Sequence, residues 1–136
     1  MPKQFTLNKK ERLKKTKLIE HLFQSGKKIT AFPLRMHYLF PEQADAPLQA
    51  AFSASKKNFK RSHERNLIKR KLREAYRLQK LPLQTEIAGK NQPLILFFVY
   101  NGKEKPPYEL IAAKMQELLN KMLLIVQAHE ADTPNT

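Results

Sequence analysis

The sequence predicts a single α/β (α+β) domain whose elements follow the order helix, strand, strand, basic helix, strand, helix. Apolar and polar residues alternate over 34–40 and 48–55, which is typical of half-buried strands, and an unbroken apolar run at 94–100 is typical of a strand buried on both faces. Apolar residues recur at helical spacing in three other segments, 9–25, 63–80 and 107–126. With 136 residues, 41% of them hydrophobic, the chain has the size of one domain with its own core.

The first helix is predicted from about Lys9 to Ser25. Asn8 can cap its N-terminus with a side-chain oxygen, and Gly26 can end it in the left-handed conformation that many helix ends adopt. Its apolar members are Leu13, Ile19, Leu22 and Phe23.

Two strands follow the first helix. One runs from Leu34 to Phe40, and a proline-containing turn at 41–47 separates it from the other, which runs from about Leu48 to Ser55. Because side chains alternate across a strand, the second strand presents one apolar face formed by Ala50, Phe52 and Ala54.

The basic helix is predicted from about His63 to Lys80, with Ser62 as its cap and Pro82 marking its end. At about 100° per residue its side chains separate into two arcs. The core-facing arc contains Ile68, Leu72, Ala75 and Gln79. The mainly cationic arc contains Arg65, Asn66, Lys69, Arg70, Arg73 and Arg77. One side of this helix can therefore seal a core while the other presents cations to a partner.

The last two elements are a strand and a helix. The apolar run from Leu94 to Tyr100 is predicted to be the central strand of the sheet, because nothing in it is suited to face water. Pro106-Pro107 starts the final helix, which continues to about Val126, and its Met115 and Met122 are expected to be ordinary core residues.

The charge of the chain indicates an anionic partner. The net charge is +14, and over residues 56–80 only Glu64 and Glu74 oppose a run of cations. These cations are Lys56, Lys57, Lys60, Arg61, Arg65, Lys69, Arg70, Lys71, Arg73, Arg77 and Lys80. A plain solvated helix face usually mixes signs to form i,i+4 pairs, so this density favours a surface that binds a polyanion such as RNA. A second basic cluster lies at 9–17.

Several other classes of function are disfavoured. Cysteine is absent, which excludes disulfides, thiolate metal sites and a cysteine nucleophile. The three glycines form no phosphate-binding loop. None of the four histidines, which are His21, His37, His63 and His129, stands at metal-ligand spacing from another ligand. The residues alone therefore favour a binding module over an enzyme that acts through its own side chains.

The sequence predicts a cytoplasmic protein with no membrane partner, since the longest apolar run is far too short to span a bilayer and no apolar signal follows the N-terminus. The domain is expected to occupy residues 1–127. The tail, residues 128–136, has no apolar pattern and is expected to be disordered.

The central motif resembles the signature of the protein subunit of bacterial ribonuclease P. The matching residues are Ala51-Phe52-Ser53-Ala54-Ser55-Lys56-Lys57, Arg65-Asn66, Lys69-Arg70 and Arg73-Glu74. Arg12-Leu13-Lys14-Lys15, Phe23 and Gly26 are similar to that family's first helix. The resemblance extends over about residues 5–126, and its specificity comes from the central motif.

The chain departs from the family pattern in two places. Leu67 directly follows the Arg-Asn pair, where the family usually has a third basic residue, and Lys71 or Arg61 is expected to replace part of that charge. The link at 58–64 is about one residue longer and more polar than is typical, which leaves the path into the basic helix open.

The resemblance implies a fold and a function. The implied fold is a two-layer α/β sandwich of the ribosomal protein S5 domain 2-like type, in which the basic helix makes a left-handed βαβ crossover against the general right-handed rule. The implied partners are the catalytic RNA subunit and precursor tRNA. In this family the RNA removes the 5′ leader with bound Mg²⁺, and the protein is an accessory subunit. The implied cofactor is thus the Mg²⁺ of the RNA–protein holoenzyme, and the sequence does not tell whether the protein itself holds a metal.

The resemblance also assigns sites, and it implies neither a catalytic residue nor a metal ligand in this chain. The implied RNA-binding residues are Lys56, Lys57, Arg61, Arg65, Asn66, Lys69, Arg70, Arg73 and Arg77. The implied lining of a cleft for the single-stranded leader is Arg12, Ile19, Phe23 and His37. Phe23 has an alternative role as an ordinary core residue, and the aliphatic Ile19 would stack less well than an aromatic side chain.

Two alternatives from other classes stay open. One is a structural, ribosome-associated RNA-binding protein with no processing role, which would bind precursor and mature tRNA alike. The other is a metal-dependent nuclease, which needs clustered carboxylates, whereas Glu11, Glu20, Glu64 and Glu74 are scattered along the sequence.

Overall fold

The computed structural model describes residues 7–129 as four helices and a four-stranded sheet. The helices are α1 (Thr16–Ser25), α2 (Ser62–Gln79), α3 (Leu81–Ala88) and α4 (Tyr108–Ala128). The strands are β1 (Lys27–Ala31), β2 (Leu34–Leu39), β3 (Leu48–Ala54) and β4 (Leu94–Tyr100), and a 3-10 turn at Lys9–Glu11 precedes α1. The predicted mixed α/β class and the order of its six predicted elements are confirmed, with β1 and α3 as additions.

The sheet has the strand order β1-β2-β4-β3, so β4 lies between two neighbours as predicted. It pairs antiparallel with β2 and parallel with β3, which sets Phe98 beside Met36 on one side and beside Phe52 on the other. Because β3 and β4 are parallel, the chain must cross over between them, and α2 and α3 form this crossover. Its left-handedness remains a prediction from the resemblance.

One face of the sheet packs against α2 and α4 and forms the main core. Phe98 lies at its centre with no exposed surface, and its ring lies 5.7 Å from that of Phe52 and 5.6 Å from that of Tyr76. The alternation predicted for β3 is confirmed, since Ala50, Phe52 and Ala54 all belong to this core. The apolar arc of α2 is thereby covered.

The opposite face of the sheet is covered in part by α1 and the segment before it. Leu13, Leu22 and Ile95 are buried together there, and Ile19 and Phe97 pack against them. Side chains at successive positions of β4 therefore enter two different cores, which explains why the whole strand is apolar.

The N-terminal segment differs from the prediction. Helix α1 begins at Thr16 instead of Lys9, and the predicted cap Asn8 accepts hydrogen bonds from the backbone N–H groups of Lys10 and Glu11 in the 3-10 turn. Leu13 is not helical, because its N–H donates to the carbonyl of Ala50 at 2.9 Å and the segment lies along β3. Backbone pairing with the sheet edge thus replaces the first turns of the expected helix.

Three smaller expectations need correction. Ser62 is the first residue of α2, and Arg61 is the N-cap without a side-chain cap bond. Pro82 stands in the first turn of α3, where its missing N–H costs nothing, so it begins a second helix just after the basic one ends. Ala128 belongs to α4 and the ring of His129 stacks on Phe40 at 3.8 Å, so the expected tail does not begin at 128. Residues 130–136 lie outside the described residues.

Gly26 ends α1 for a reason other than the predicted one. Its φ is −79°, so it is not in the left-handed region. The position is instead crowded, because an ideal Cβ would lie 2.5 Å from the carbonyl oxygen of Leu22 and 2.6 Å from that of Tyr38. A glycine is therefore needed for close approach of α1 to β2.

We expect Gly26→Ala to lower the free energy of unfolding by about 1–3 kcal/mol, since backbone atoms must move to admit the methyl group. Gly89→Ala is the matched control, because a Cβ there would meet only the Glu86 carbonyl, at 3.6 Å. Urea denaturation of both variants would measure the difference. Equal effects at the two glycines would contradict the crowding at Gly26.

Candidate nucleic-acid interface

One flank of α2 carries most of the predicted cationic arc. Ile68, Leu72, Ala75 and Tyr76 are buried on the opposite side, and the Gln79 amide donates to the Ala112 carbonyl of α4 at 3.1 Å. The flank is formed by Asn66, Lys69, Arg70, Arg73 and Arg77, which we call the α2 stripe; Asn66 and Arg70 are exposed and the other three are half-buried. The predicted separation of α2 into an apolar and a basic side is confirmed.

The loop that leads into α2 presents further cations from a fixed backbone. Lys56, Lys57 and Arg61 are exposed. Asn58 donates from Nδ2 to the carbonyls of Asn101 and Gly102, both at 3.1 Å. Phe59 is 4% exposed and its ring lies 6.0 Å from that of Tyr100. The loop, residues 55–61, is therefore anchored by both polar and apolar contacts, and its backbone needs little ordering when a partner binds.

Arg65 has a role that the sequence did not reveal. Its Nη1 donates to the carbonyls of Phe59 at 2.8 Å and Lys60 at 2.9 Å, so its guanidinium also holds the loop. The helical position explains this, because Arg65 lies seven residues before Leu72 and thus near the core-facing side.

The structure shows where Leu67 lies and which of the two cations expected to replace its missing charge is free to do so. Leu67 is 47% exposed, and the ammonium of Lys71, expected to replace part of the missing charge, donates to the Pro106 carbonyl at 2.7 Å. Arg61 remains exposed beside the helix start. Arg77 in the α2 stripe pairs with Glu74, with Nη2 and Oε2 2.7 Å apart.

Three of the four residues predicted to line a cleft lie together between α1 and the sheet. The Phe23 ring lies 4.5 Å from His37 and 5.0 Å from Phe97, and Ile19 belongs to the same cluster. Phe23 is 48% exposed, which is unlike an ordinary core residue. Phe97 was not among the predicted lining residues. It follows from strand alternation, because neighbours in the apolar run point to opposite faces of the sheet and Phe98 faces the main core.

Arg12 lies apart from this cluster. Its backbone bridges to Ala50 on β3, whereas His37 is on β2, with β4 between the two strands. Since neighbouring strands are about 4.8 Å apart, the Arg12 backbone lies about three strand spacings from that of His37. The Arg12 backbone thus lies at the edge of the sheet, away from the cluster of Phe23, His37 and Phe97.

Two polar atoms on β2 near this cluster lack hydrogen bonds within the described residues. His37 Nε2 and Arg35 Nε are buried, and neither has a partner among residues 7–129. Burial lowers the pKa of His37 below its usual value, and the nearby charges of Arg35 and Lys28 lower it further. At neutral pH the His37 ring is therefore uncharged, and it offers a polar edge beside the exposed Phe23.

The lowered pKa of His37 predicts a pH dependence of stability. The unfolded chain binds this proton more readily than the folded protein, so the free energy of unfolding should fall as the pH drops below the ordinary histidine range. His37→Gln should reduce that fall, as measured by urea denaturation at about pH 7.5 and pH 5. The same change at the exposed His21 should leave it as in the parent protein, and an unchanged profile in His37→Gln would contradict the assignment.

Comparison with known proteins identifies the family. Residues 7–123 match the family model described as Ribonuclease P. The chain belongs to the ribonuclease P protein family. A ribonuclease P protein component of Porphyromonas gingivalis is 34% identical over 119 residues, which cover 87% of each chain. One of Chlorobium phaeobacteroides is 32% identical over 130 residues and covers 88% of this chain and 89% of its own. The resemblance to this family is confirmed.

Solved structures of ribonuclease P proteins share the fold. One from Staphylococcus aureus superposes with a TM-score of 0.56 at 18% identity, covering 88% of this chain and 98% of the other. A second structure from the same organism has a TM-score of 0.55 at 19% identity. The predicted fold class is confirmed.

Two further findings concern the described part of the chain. Across residues 7–129, no helix is both long and apolar enough to cross a membrane. Within the same range, no three acidic or histidine side chains are grouped so that they could hold a metal ion.

Proposed function

We propose that this ribonuclease P protein binds the catalytic RNA through the α2 stripe and the 55–61 loop, and binds the 5′ leader of precursor tRNA in the cleft between α1 and the sheet. It thereby assists removal of the leader to give the mature 5′ end. The RNA performs the hydrolysis with Mg²⁺, and this chain supplies no catalytic residue. The RNA partners place its action in the cytoplasm.

The observation that carries the proposal is the anchored basic loop next to the α2 stripe. Lys56, Lys57 and Arg61 project from a backbone fixed by Asn58 and Phe59. Each cation that neutralises a phosphate releases counterions, and little backbone freedom is lost on binding when the backbone is already fixed. Such a surface can bring two RNAs together and lower the magnesium concentration that their mutual repulsion requires.

The cleft suits a single strand. Phe23, which is half-exposed, and Phe97 offer aromatic surface that stacks with any base. The uncharged His37 and Arg35 Nε, which has no partner within residues 7–129, provide polar groups on the neighbouring strand β2. These contacts do not demand a particular leader sequence, which fits a protein that must act on many precursors.

The deciding experiment is cleavage of precursor tRNA by the cognate catalytic RNA at low Mg²⁺, with and without this protein. We expect strong rescue by the protein. Tight general RNA binding without rescue, and equal binding of precursor and mature tRNA, would instead favour the ribosome-associated alternative. Cleavage by the purified protein without RNA would favour the nuclease alternative.

Phe23→Ala is expected to reduce the preference for precursor over mature tRNA, because a base loses its stacking surface at about 1–3 kcal/mol per base. The two affinities are measured by equilibrium binding at fixed salt. Phe23→Leu separates stacking from packing, since it keeps apolar volume without a ring. An unchanged preference in both variants would remove Phe23 from the leader site.

A further inference from the structure

Lys80 is a buried lysine that the proposed function does not use. It is 1% exposed at the end of α2, and its ammonium forms an ion pair with the carboxylate of Glu11, which is 17% exposed, in the 3-10 turn. Burial raises the pKa of the Tyr76 hydroxyl, and the negative charge of Glu11 raises it further. Removing both charges from water costs free energy, so the pair contributes little net stability. A role in positioning the two segments explains it better.

The ion pair joins two basic parts of the surface. Lys80 follows Arg73 by seven residues, which is two turns along the same side of α2, so Glu11 lies at the end of the α2 stripe. The N-terminal segment, residues 8–14, carries four exposed cations: Lys9, Lys10, Arg12 and Lys14. Glu11 is the only acidic residue between Leu7 and Ile19. Like charges on the segment and the stripe repel each other, and this one carboxylate opposes that repulsion.

Other contacts define where the segment lies. The Leu13 N–H donates to the Ala50 carbonyl at 2.9 Å, and Gln49 Nε2 donates to the Lys10 carbonyl at 2.7 Å. Leu13 itself is 4% exposed in the core beneath α1. These contacts hold the backbone to β3, whereas the ion pair of Glu11 with Lys80 ties it to the end of α2.

We propose that Glu11 and Lys80 are positioning residues whose ion pair holds the N-terminal segment against α2, so that its cations extend the α2 stripe into one surface for RNA phosphates. The proposal rests on the RNA-binding function proposed above. It adds a second stretch of chain to that surface, and it explains why a buried charge is kept at the end of the basic helix.

The test uses the double variant Glu11→Gln/Lys80→Met. It leaves the net charge unchanged and fills the space of the lysine stem, and replacing both partners avoids a lone buried charge. Lys114→Met/Glu117→Gln is the matched control, because it removes an exposed ion pair on α4 without changing net charge. A thermal unfolding midpoint measured for both variants ensures that folded protein is compared.

The first readout is amide hydrogen exchange in the free protein. We expect the Leu13 amide, and the Lys10 and Glu11 amides capped by Asn8, to exchange faster in the double variant and unchanged in the control. Unchanged exchange at these amides would overturn the positioning role of the ion pair. This readout needs no RNA, so it is independent of the proposed function.

The second readout is the salt dependence of binding to the cognate catalytic RNA and to an unrelated RNA duplex. The log–log slope should become shallower by about one unit for each cation that leaves a phosphate, although the variant has the same net charge. Faster exchange with an unchanged slope would overturn the extension of the RNA surface. Parent protein that binds neither RNA would overturn both that extension and the proposed function, while the exchange rates would still decide the positioning role.

Discussion

Phe98→Ala is expected to lower the free energy of unfolding by about 3–5 kcal/mol. The ring has no exposed surface and lies against Phe52 and Tyr76, so its removal leaves a cavity where β4, β3 and α2 meet. Since natural domains are stable by only about 5–15 kcal/mol, this loss would be a large part of the total. Urea denaturation followed by circular dichroism would measure it.

Leu124→Ala is the control for this prediction. Its side chain is 66% exposed on α4, so the change should stay within about 0.5 kcal/mol. A loss below about 1 kcal/mol in Phe98→Ala would contradict the close packing of the three rings.

The double variant Arg70→Ala/Arg73→Ala is expected to have the largest effect on RNA binding. Arg70 is exposed and Arg73 half-buried on the α2 stripe. Removing two phosphate contacts should make the log–log salt slope shallower by about 1.8 and weaken binding to the catalytic RNA about a hundredfold near 0.1 M salt. The measurement is a filter-binding or fluorescence titration at several salt concentrations.

A charge-matched control separates contact from net charge. Lys114→Ala/Lys121→Ala also removes two cations, but from α4. Its slope should stay close to that of the parent protein. The same decrease in both double variants would mean that RNA senses only the total charge, and the α2 stripe would lose its assignment. We prefer Arg73 to Arg65 for this test, because Arg65→Ala would also release the loop carbonyls of Phe59 and Lys60.

Most of the fold could be predicted from the sequence, because the residues that form its cores recur at regular strand or helix spacing along the chain. The run at 94–100 identified the central strand, and the arc of Ile68 and Leu72 identified the buried side of α2. Strand β1 was missed because it buries only Ala31 and therefore carries little apolar signal. The start of α1 was misplaced because pairing with the Ala50 carbonyl is a tertiary contact that local propensity cannot reveal.

The candidate site was predictable in its residue types more than in its arrangement. The cations of α2 and the 55–61 loop were evident from charge, and Phe23 and His37 do lie together. The internal bonds of Arg65 and the ion pair of Glu11 with Lys80 connect residues far apart in sequence or across a loop, so spacing gave no sign of them. Arg12 was predicted to line the cleft with His37. Its distance from His37 depends on the order of the strands in the sheet, which the spacing of residues in the sequence does not give.

The place of β4 in the sheet has a consequence for how the protein is made. It is the last strand to be synthesised, yet both β2 and β3 pair with it and not with each other. A growing chain that ends before residue 94 carries the whole basic helix but lacks the strand that joins the two halves of the sheet. The 55–61 loop also lacks its anchoring contacts until Tyr100, Asn101 and Gly102 have been synthesised. The surface that we propose binds phosphates can therefore reach its final shape only after most of the chain has been translated.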